Sequence, residues 1–392
     1  MRRRRLTAAL VSFRCLITML LDGCSAKRTE QPAVSAEDQA RSEQEAKLKA
    51  LKEKALQCVQ DDEARIAKSY ERTQGDSSAI WKESPARSCA FSSSELAMLS
   101  PYIHPFADSD LSDADVSLEG GYASLPEGSL LGGLVVDRFT HPLVMTHFLR
   151  GGETYKFYAM DRYMGDMAGG KVTPDENSIF EECNLMTLSP VGNWKFPKDA
   201  LNGIRGNRNN EGDESLPWFA TQDTLIGIRG NWNALPRAPR VLDPRQKTYE
   251  SLARAVLDEK GFRKTPINLA QVYAVDLDGD GQEEIVFSAT RPFKEFPMEP
   301  VVGWYSFVAV SHVVDGKNRV TVIEGDFTPN KASVNESPYP PQLSVIKGIL
   351  DFDGDGRMEI LIGGGYYEGG GYILYKIEGD KAKALMGYTC GV

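Results

Sequence analysis

Hydrophobic spacing divides the chain into a helical beginning and a long strand-forming remainder. From Ser35 to Arg72 the sequence is rich in Ala, Glu, Lys and Gln, and Leu48, Leu51, Ala55, Val59, Ile66 and Tyr70 form an imperfect apolar stripe. These are strong helix formers at helical spacing. About 38 residues at 1.5 Å rise reach ~57 Å, which suits a solvated stalk; the heptads do not persist as a partner-binding coiled coil requires. Residues 73 to 90 read as a linker, and SSELAMLS as a short helix. From Leu130 the period shortens to that of strands: LLGGLVVDRF, then PLVMTHFL and TYKFYAM, the last two joined in a hairpin by Arg150-Gly151-Gly152. Helical spacing returns at Thr248 to Lys260, with Leu252, Ala255, Val256 and Leu257 on one side and Gly261 after the end.

Beyond that helix, strand candidates at 269–275, 284–289, 301–314 and 319–325 are matched by 343–350, 358–363, 371–377 and 382–389. Four strands are what one propeller blade requires. Two such units cannot close a ring, so further blades have to come from residues 100–240. The pattern therefore predicts a mainly β fold of β-propeller-like four-stranded units after an N-terminal helical stalk. The alternative is an α+β or β-sandwich domain with a duplicated hairpin unit. The expected segmentation is a signal peptide at 1–23, stalk and linker at 24–90, a β-rich region at 91–244, and a helix with two β units at 245–392.

Each unit carries an acidic loop between its first and second strands: DLDGDGQEE, Asp276 to Glu284, and DFDGDGRME, Asp351 to Glu359. Carboxylates at alternate positions of a sharp turn converge, and their repulsion favours a hard cation at the centre. Calcium fits, because it takes six to eight oxygens in a flexible geometry. The expected ligands are the carboxylates of Asp276, Asp278, Asp280 and Glu284 with the Gln282 carbonyl, and those of Asp351, Asp353, Asp355 and Glu359 with the Arg357 carbonyl. Gly281 and Gly356 permit the turn. An EF-hand is excluded, since its twelfth position needs a glutamate and here holds Phe287 or Ile362. The loops resemble the FG-GAP/VCBS-type calcium loops of integrin-α-like β-propellers, whose pattern DxDxDGxxD before an apolar strand is matched by DFDGDGRMEILIGGG. Both copies depart in having Glu at the ninth position, and neither carries the full FG and GAP flanks. The resemblance implies structural calcium in a propeller-like fold; two acidic turns that bind nothing are the plainer alternative.

The N-terminus, with a basic start and an apolar run, has the layout of a secretory signal. Its Gly23-Cys24 resembles a bacterial lipoprotein box, implying Cys24 as the lipidated first residue and, with Ser25 next, outer-membrane sorting. Asp22 departs from that box, so cleavage after Ala26 to a periplasmic or secreted protein stays open. Beyond residue 23 the chain holds 40 basic and 54 acidic residues, a net charge of −14, the wrong sign for nucleic acid. Cys58, Cys89, Cys183 and Cys390 then remain as an even set for an oxidising compartment. The preferred pairing is Cys58–Cys89 and Cys183–Cys390, with free buried thiols as the alternative.

Catalytic signals are few. No GxSxG elbow, HExxH helix, P-loop or dinucleotide fingerprint occurs. His141 and His147, six apart in an expected strand, make a weak zinc pair without a third ligand. DSDLSDAD, Asp108 to Asp115, lacks turn glycines and reads as a solvated loop. Gly203-Ile204-Arg205-Gly206-Asn207 recurs at Gly227–Asn231, most simply as repeated turn chemistry. In GGGYYEGGGYILY, Tyr366, Tyr367 and Tyr372 with Glu368 offer a sugar or peptide platform, or else pack on neighbouring strands. Together these features describe an exported, lipid-anchored calcium-binding β-rich protein that acts as a binding or structural module of the cell envelope, with a protein or glycan partner; the alternative is an envelope hydrolase, glycan-directed or otherwise, on the same scaffold.

Overall fold

The computed structural model of the protein describes residues 35–73, 86–110, 115–117, 122–124, 128–174, 186–191, 194–195, 224–293, 296–336, 340–366 and 369–391. The signal segment with Cys24, Cys183, the first of the two GIRGN segments, Tyr367 and Glu368 lie outside the described residues. Residues Met1–Ala46 and Lys47–Val392 form two compact units. In the first, the exposed start of the helix carries an Arg41–Glu45 ion pair at 3.0 Å. Among the described residues no helix is long and apolar enough to cross a membrane.

Runs apolar at consecutive positions explain the centre of the second unit, because strands buried on both faces lose the polar half of their alternation. The four-stranded sheet is an antiparallel meander of β16 (Leu343–Leu350), β17 (Glu359–Tyr366), β18 (Gly369–Glu378) and β19 (Lys381–Gly391). Ile360 and Ile362 of β17 face Val275, Val286, Val308 and Val310 of the five-stranded sheet. That sheet runs β11 (Arg240–Val241), β12 (Leu269–Val275), β13 (Glu284–Thr290), β14 (Trp304–Val314) and β15 (Lys317–Thr328). Leu361 and Leu374 point the other way, onto Phe106, Leu134, Ile226 and Ile228 of a seven-stranded sheet. The four-stranded sheet is thus the middle of three layers.

A helix covers each outer face. The helix Lys247–Glu259 sets Ala253, Val256 and Leu257 against Phe287, Tyr305 and Phe307 on the far side of the five-stranded sheet. On the other side lie residues 47–73 of the helix Ala36–Thr73, the long element the composition predicts. From Lys47 onward it is not a solvated stalk: Leu51, Ala55, Val59 and Ile66 are buried with Leu99, Ile103, Leu130 and Val135. The stripe was imperfect because Cys58 and Asp62 share the buried face. Cys58 is bonded to Cys89 across 4.8 Å between Cα atoms, as expected, pinning the helix to the segment that enters the sheets. A bridge closing a loop of this size contributes about 2–4 kcal/mol.

The seven-stranded sheet contains β1 (Ile103–Asp110), β4 (Gly128–Val135), β5 (Arg138–Thr140), β6 (Thr154–Ala159), β7 (Arg162–Pro174), β8 (Met186–Val191) and β10 (Thr224–Ile228). It runs β1-β10-β6-β7-β8-β4-β5, with β4 pairing back onto β1. A small three-stranded sheet joins β2 (Asp115–Ser117), β3 (Tyr122–Ser124) and β9 (Trp194–Lys195). One expected strand is corrected here. PLVMTHFL folds as a helical turn, Pro142–Met145, with the His141 side chain accepting from the Leu143 N–H at 3.2 Å, then a 3-10 turn, Thr146–Phe148. Pro142 suits a first helical turn and has no N–H for a sheet ladder. The Gly151-Gly152 turn therefore leads into β6 from a helix, and the hairpin partner of β6 is β7.

Candidate metal centre

Both acidic loops fold alike, each leaving its strand on an Asp whose carboxylate gathers the turn. Asp276 accepts from the N–H groups of Gly279 at 2.7 Å and Gly281 at 3.1 Å; Asp351 accepts from Gly354 at 2.7 Å and Gly356 at 3.0 Å. Asp278 takes the Asp280 N–H and Asp353 the Asp355 N–H, both at 3.2 Å. Asp280 and Asp355 accept from the N–H of Gln282 and Arg357 at 2.7 and 2.8 Å. Glu284 and Glu359 reach back to the N–H of Leu277 and Phe352 at 2.7 and 2.9 Å. Gly281 and Gly356 stand at φ of +88° and +85°, where a Cβ is strained.

The carboxylates converge as the spacing predicts. Oxygens of Asp276, Asp278 and Glu284 lie within 4.8 Å of one another, as do those of Asp351, Asp353 and Asp355. Asp280 is turned aside, holding the Gln282 side-chain amide at 3.0 Å. The loops are neighbours: the Met358 N–H donates to the Leu277 carbonyl at 2.7 Å. Arg237 lies between them, donating to the Asp276 carbonyl at 2.5 Å and the Gly356 carbonyl at 2.6 Å. Trp232 donates from its indole to the Asp351 carbonyl at 2.8 Å.

What separates the copies is the next strand. Ile285 faces Ser311 on β14, and Ile360 faces Tyr375 on β18; one step along, His312 lies opposite Glu284 and Lys376 opposite Glu359. The Lys376 ammonium reaches Asp353 at 3.1 Å, Asp355 at 2.6 Å and Glu359 at 2.9 Å. The second loop thus contains a cation of its own, which the calcium expectation for Asp351, Asp353, Asp355, Arg357 and Glu359 did not foresee. In the first loop His312 turns to the Thr321 hydroxyl at 2.9 Å. Among the described residues no basic side chain lies within 4 Å of Asp278, Asp280 or Glu284, while Arg237 stands 3.8 Å from Asp276.

Protonation follows these surroundings. Burial pushes the Glu284 carboxyl up to about 7 against the Leu277 N–H, and the charges of Asp278, Asp276 and Asp280 add to the shift. Burial likewise lifts Asp351 to about 6. Glu359 is raised to about 8 by burial and the Asp353 charge, with Lys376 pulling the other way. For Lys376 burial disfavours the charge, and the carboxylates of Asp355, Glu359 and Asp353 outweigh it, so the ammonium form is held. A cleft of about 420 Å³ opens between the loops, lined by Asp278, Asp280, Glu284, His312, Arg357 and Lys376.

No protein family, curated protein or solved structure matches the chain.

The other sequence candidates resolve differently. His141 and His147 do not share a strand face: His141 caps its helical turn and packs edge-on against Tyr388 at 5.4 Å. His147 bonds the buried Asp62 at 2.8 Å. Burial opposes the Asp62 charge, but hydrogen bonds from His147 and Arg65 hold its carboxyl well below the usual range. Cys89 completes that cluster but is tied up in the disulfide, so it supplies no thiolate for zinc. Tyr372 is buried and donates to the Leu130 carbonyl at 3.3 Å, so its face is not open to a sugar. Asp108 is not in a solvated loop as expected: it lies in β1, between Ile226 of β10 and Ser129 of β4, and accepts from the Ser129 N–H at 3.0 Å. Lys376 had a signal in the sequence, a lone lysine inside the apolar run YILYKIE; Arg237, in a Pro-rich connection, had none.

Proposed function

We propose that the protein is a β-rich scaffold of FG-GAP/VCBS-like units whose first acidic loop takes a structural calcium ion and whose second is neutralised by Lys376. The observation that carries this reading is the contrast between copies: in one the carboxylate turn has an ammonium group within 3.1 Å of Asp353, Asp355 and Glu359, and in the other the nearest basic group among the described residues is Arg237, 3.8 Å from Asp276 alone. Asp276, Asp278 and Glu284 supply hard oxygen ligands, with Asp280 and the Gln282 carbonyl in reach of the same loop, a set suited to calcium. The ion would offset the clustered charge and fix the turn that holds β12 to β13. Stacked four- and five-stranded meanders support blade-like units. The N-terminal segment, through Cys24, supports export to the bacterial envelope on a lipid anchor, where the scaffold would present a binding surface to protein or glycan.

The test is thermal unfolding of the protein with calcium and with chelator, in wild type and in Asp276→Asn and Asp351→Asn variants. A calcium-dependent rise lost only in Asp276→Asn supports the assignment. A rise that persists in Asp276→Asn, or no rise in wild type, overturns it.

A further inference from the structure

A second polar cavity, whose lining includes no residue of either acidic loop, lies against β6. It has a volume of about 550 Å³ and is lined by Ser100, His104, Glu153, Lys156, Asp166 and Arg229, among others. That size falls in the range of small-molecule sites. Its two cations have only neutral partners: Arg229 donates to the Ser100 hydroxyl at 2.5 Å and the Ile103 carbonyl at 3.2 Å, and Lys156 to the Trp232 carbonyl at 3.3 Å. Among the described residues neither lies within 4 Å of a carboxylate. Glu153 is buried, with one oxygen accepting the Arg150 N–H at 2.6 Å and the other reaching no hydrogen-bond partner among the described residues. Asp166 stands opposite Lys156 in the β6–β7 register. A charged group in a confined site gains most from an opposite charge that hydrogen-bonds to it, and this cavity offers both signs.

We infer that the cavity binds a small zwitterion, with a carboxylate held by Arg229 and Lys156 and an ammonium group directed to Glu153 and Asp166. A plain anion would meet the two carboxylates and a plain cation the two basic groups, so a free amino acid or short peptide with both ends unblocked fits best. The inference is independent of the acidic loops. Calorimetric titration of the full chain with glycylglycine, N-acetylglycine and glycinamide tests it. The dipeptide is expected to bind at a Kd of ~1 mM or tighter, with each blocked compound at least ~10-fold weaker. Lys156→Met, at a partly exposed position, and Asp166→Asn, at an exposed one where the carboxylate accepts from the Tyr163 hydroxyl at 2.8 Å, should each lose ~10-fold in affinity while keeping the wild-type melting temperature. Absence of dipeptide heat, equal heats for all three compounds, or unchanged affinity in both variants overturns it.

Discussion

Asp276–Glu284 and Asp351–Glu359 make the same five bonds from backbone N–H to carboxylate, yet the strand that follows places His312 beside one and Lys376 beside the other. The backbone of an acidic turn therefore does not decide how its charge is offset. A tethered ammonium is always at hand and indifferent to the medium, but it must be desolvated: Lys376 is 9% exposed. A loop without one depends on what the solvent supplies. Two copies of one turn can in this way give a fold one permanent joint and one that responds to divalent cations. The joints are coupled, since Arg237 bonds backbone carbonyls of both.

The sharpest break in this comparison is Lys376→Met. It strips the buried Glu359 and its neighbours of their ammonium group, and because Glu359, raised to about 8, can hold a proton instead, the cost is that of unsatisfied buried acceptors, about 3 kcal/mol. Urea unfolding in chelator should show that loss, and added calcium should recover part of it, because the stripped second loop becomes the equal of the first. A loss under ~1 kcal/mol, in the range of exposed pairs, would mean that Lys376 is not the charge that holds the turn. Next in size is the calcium increment itself. At a calcium concentration 100 times its dissociation constant the wild type should gain about 2.7 kcal/mol. Asp276→Asn should abolish that gain and Asp351→Asn should keep it.

The repeat itself was legible because apolar runs and turn glycines are local signals: β12 and β16 fall at Leu269–Val275 and Leu343–Leu350, where the apolar runs beside the acidic loops placed them. The helix Lys247–Glu259 was equally open to reading. PLVMTHFL was not, since a short apolar run serves helix or strand and only Pro142 at its head hinted at the outcome. Nor was the burial of the long N-terminal helix, whose few apolar positions pack on strand residues 37 to 84 positions away in sequence. The site shows the same division. The carboxylates that form each turn lie within nine residues, but the lysine that distinguishes the second loop is a cross-strand neighbour 17 positions beyond Glu359, visible only once β17 and β18 are paired.

Importing that neighbour sharpens the comparison from the other side. His312→Lys places an ammonium opposite Glu284 as Lys376 stands opposite Glu359. Its charge-assisted hydrogen bonds should raise stability in chelator by about 1.5 kcal/mol and erase the calcium increment, as read by melting with and without the ion. An undiminished increment would show that the lysine register does not govern cation dependence.

The smallest expected effect is in pH, and its sign distinguishes a proton from a metal as the balancing charge. Folding raises the Glu284 carboxyl to about 7 from an ordinary value of 4.5. Between those values the folded state holds a proton that the unfolded state has released, so stability falls as pH rises through that window and is lowest above it. For a half-exposed group, solvent screening limits the change to about 1 kcal/mol. On the proposed reading calcium replaces that proton, so melting should decline from pH 5 to pH 8 more steeply in chelator than in saturating calcium, where Asp351 and Glu359, raised to about 6 and about 8, still titrate. Glu284→Gln, which cannot ionise, should bring the chelator slope down to that residual. A chelator slope undiminished in Glu284→Gln would place the calcium-sensitive carboxyl outside the first loop and remove the proposed proton-for-metal exchange.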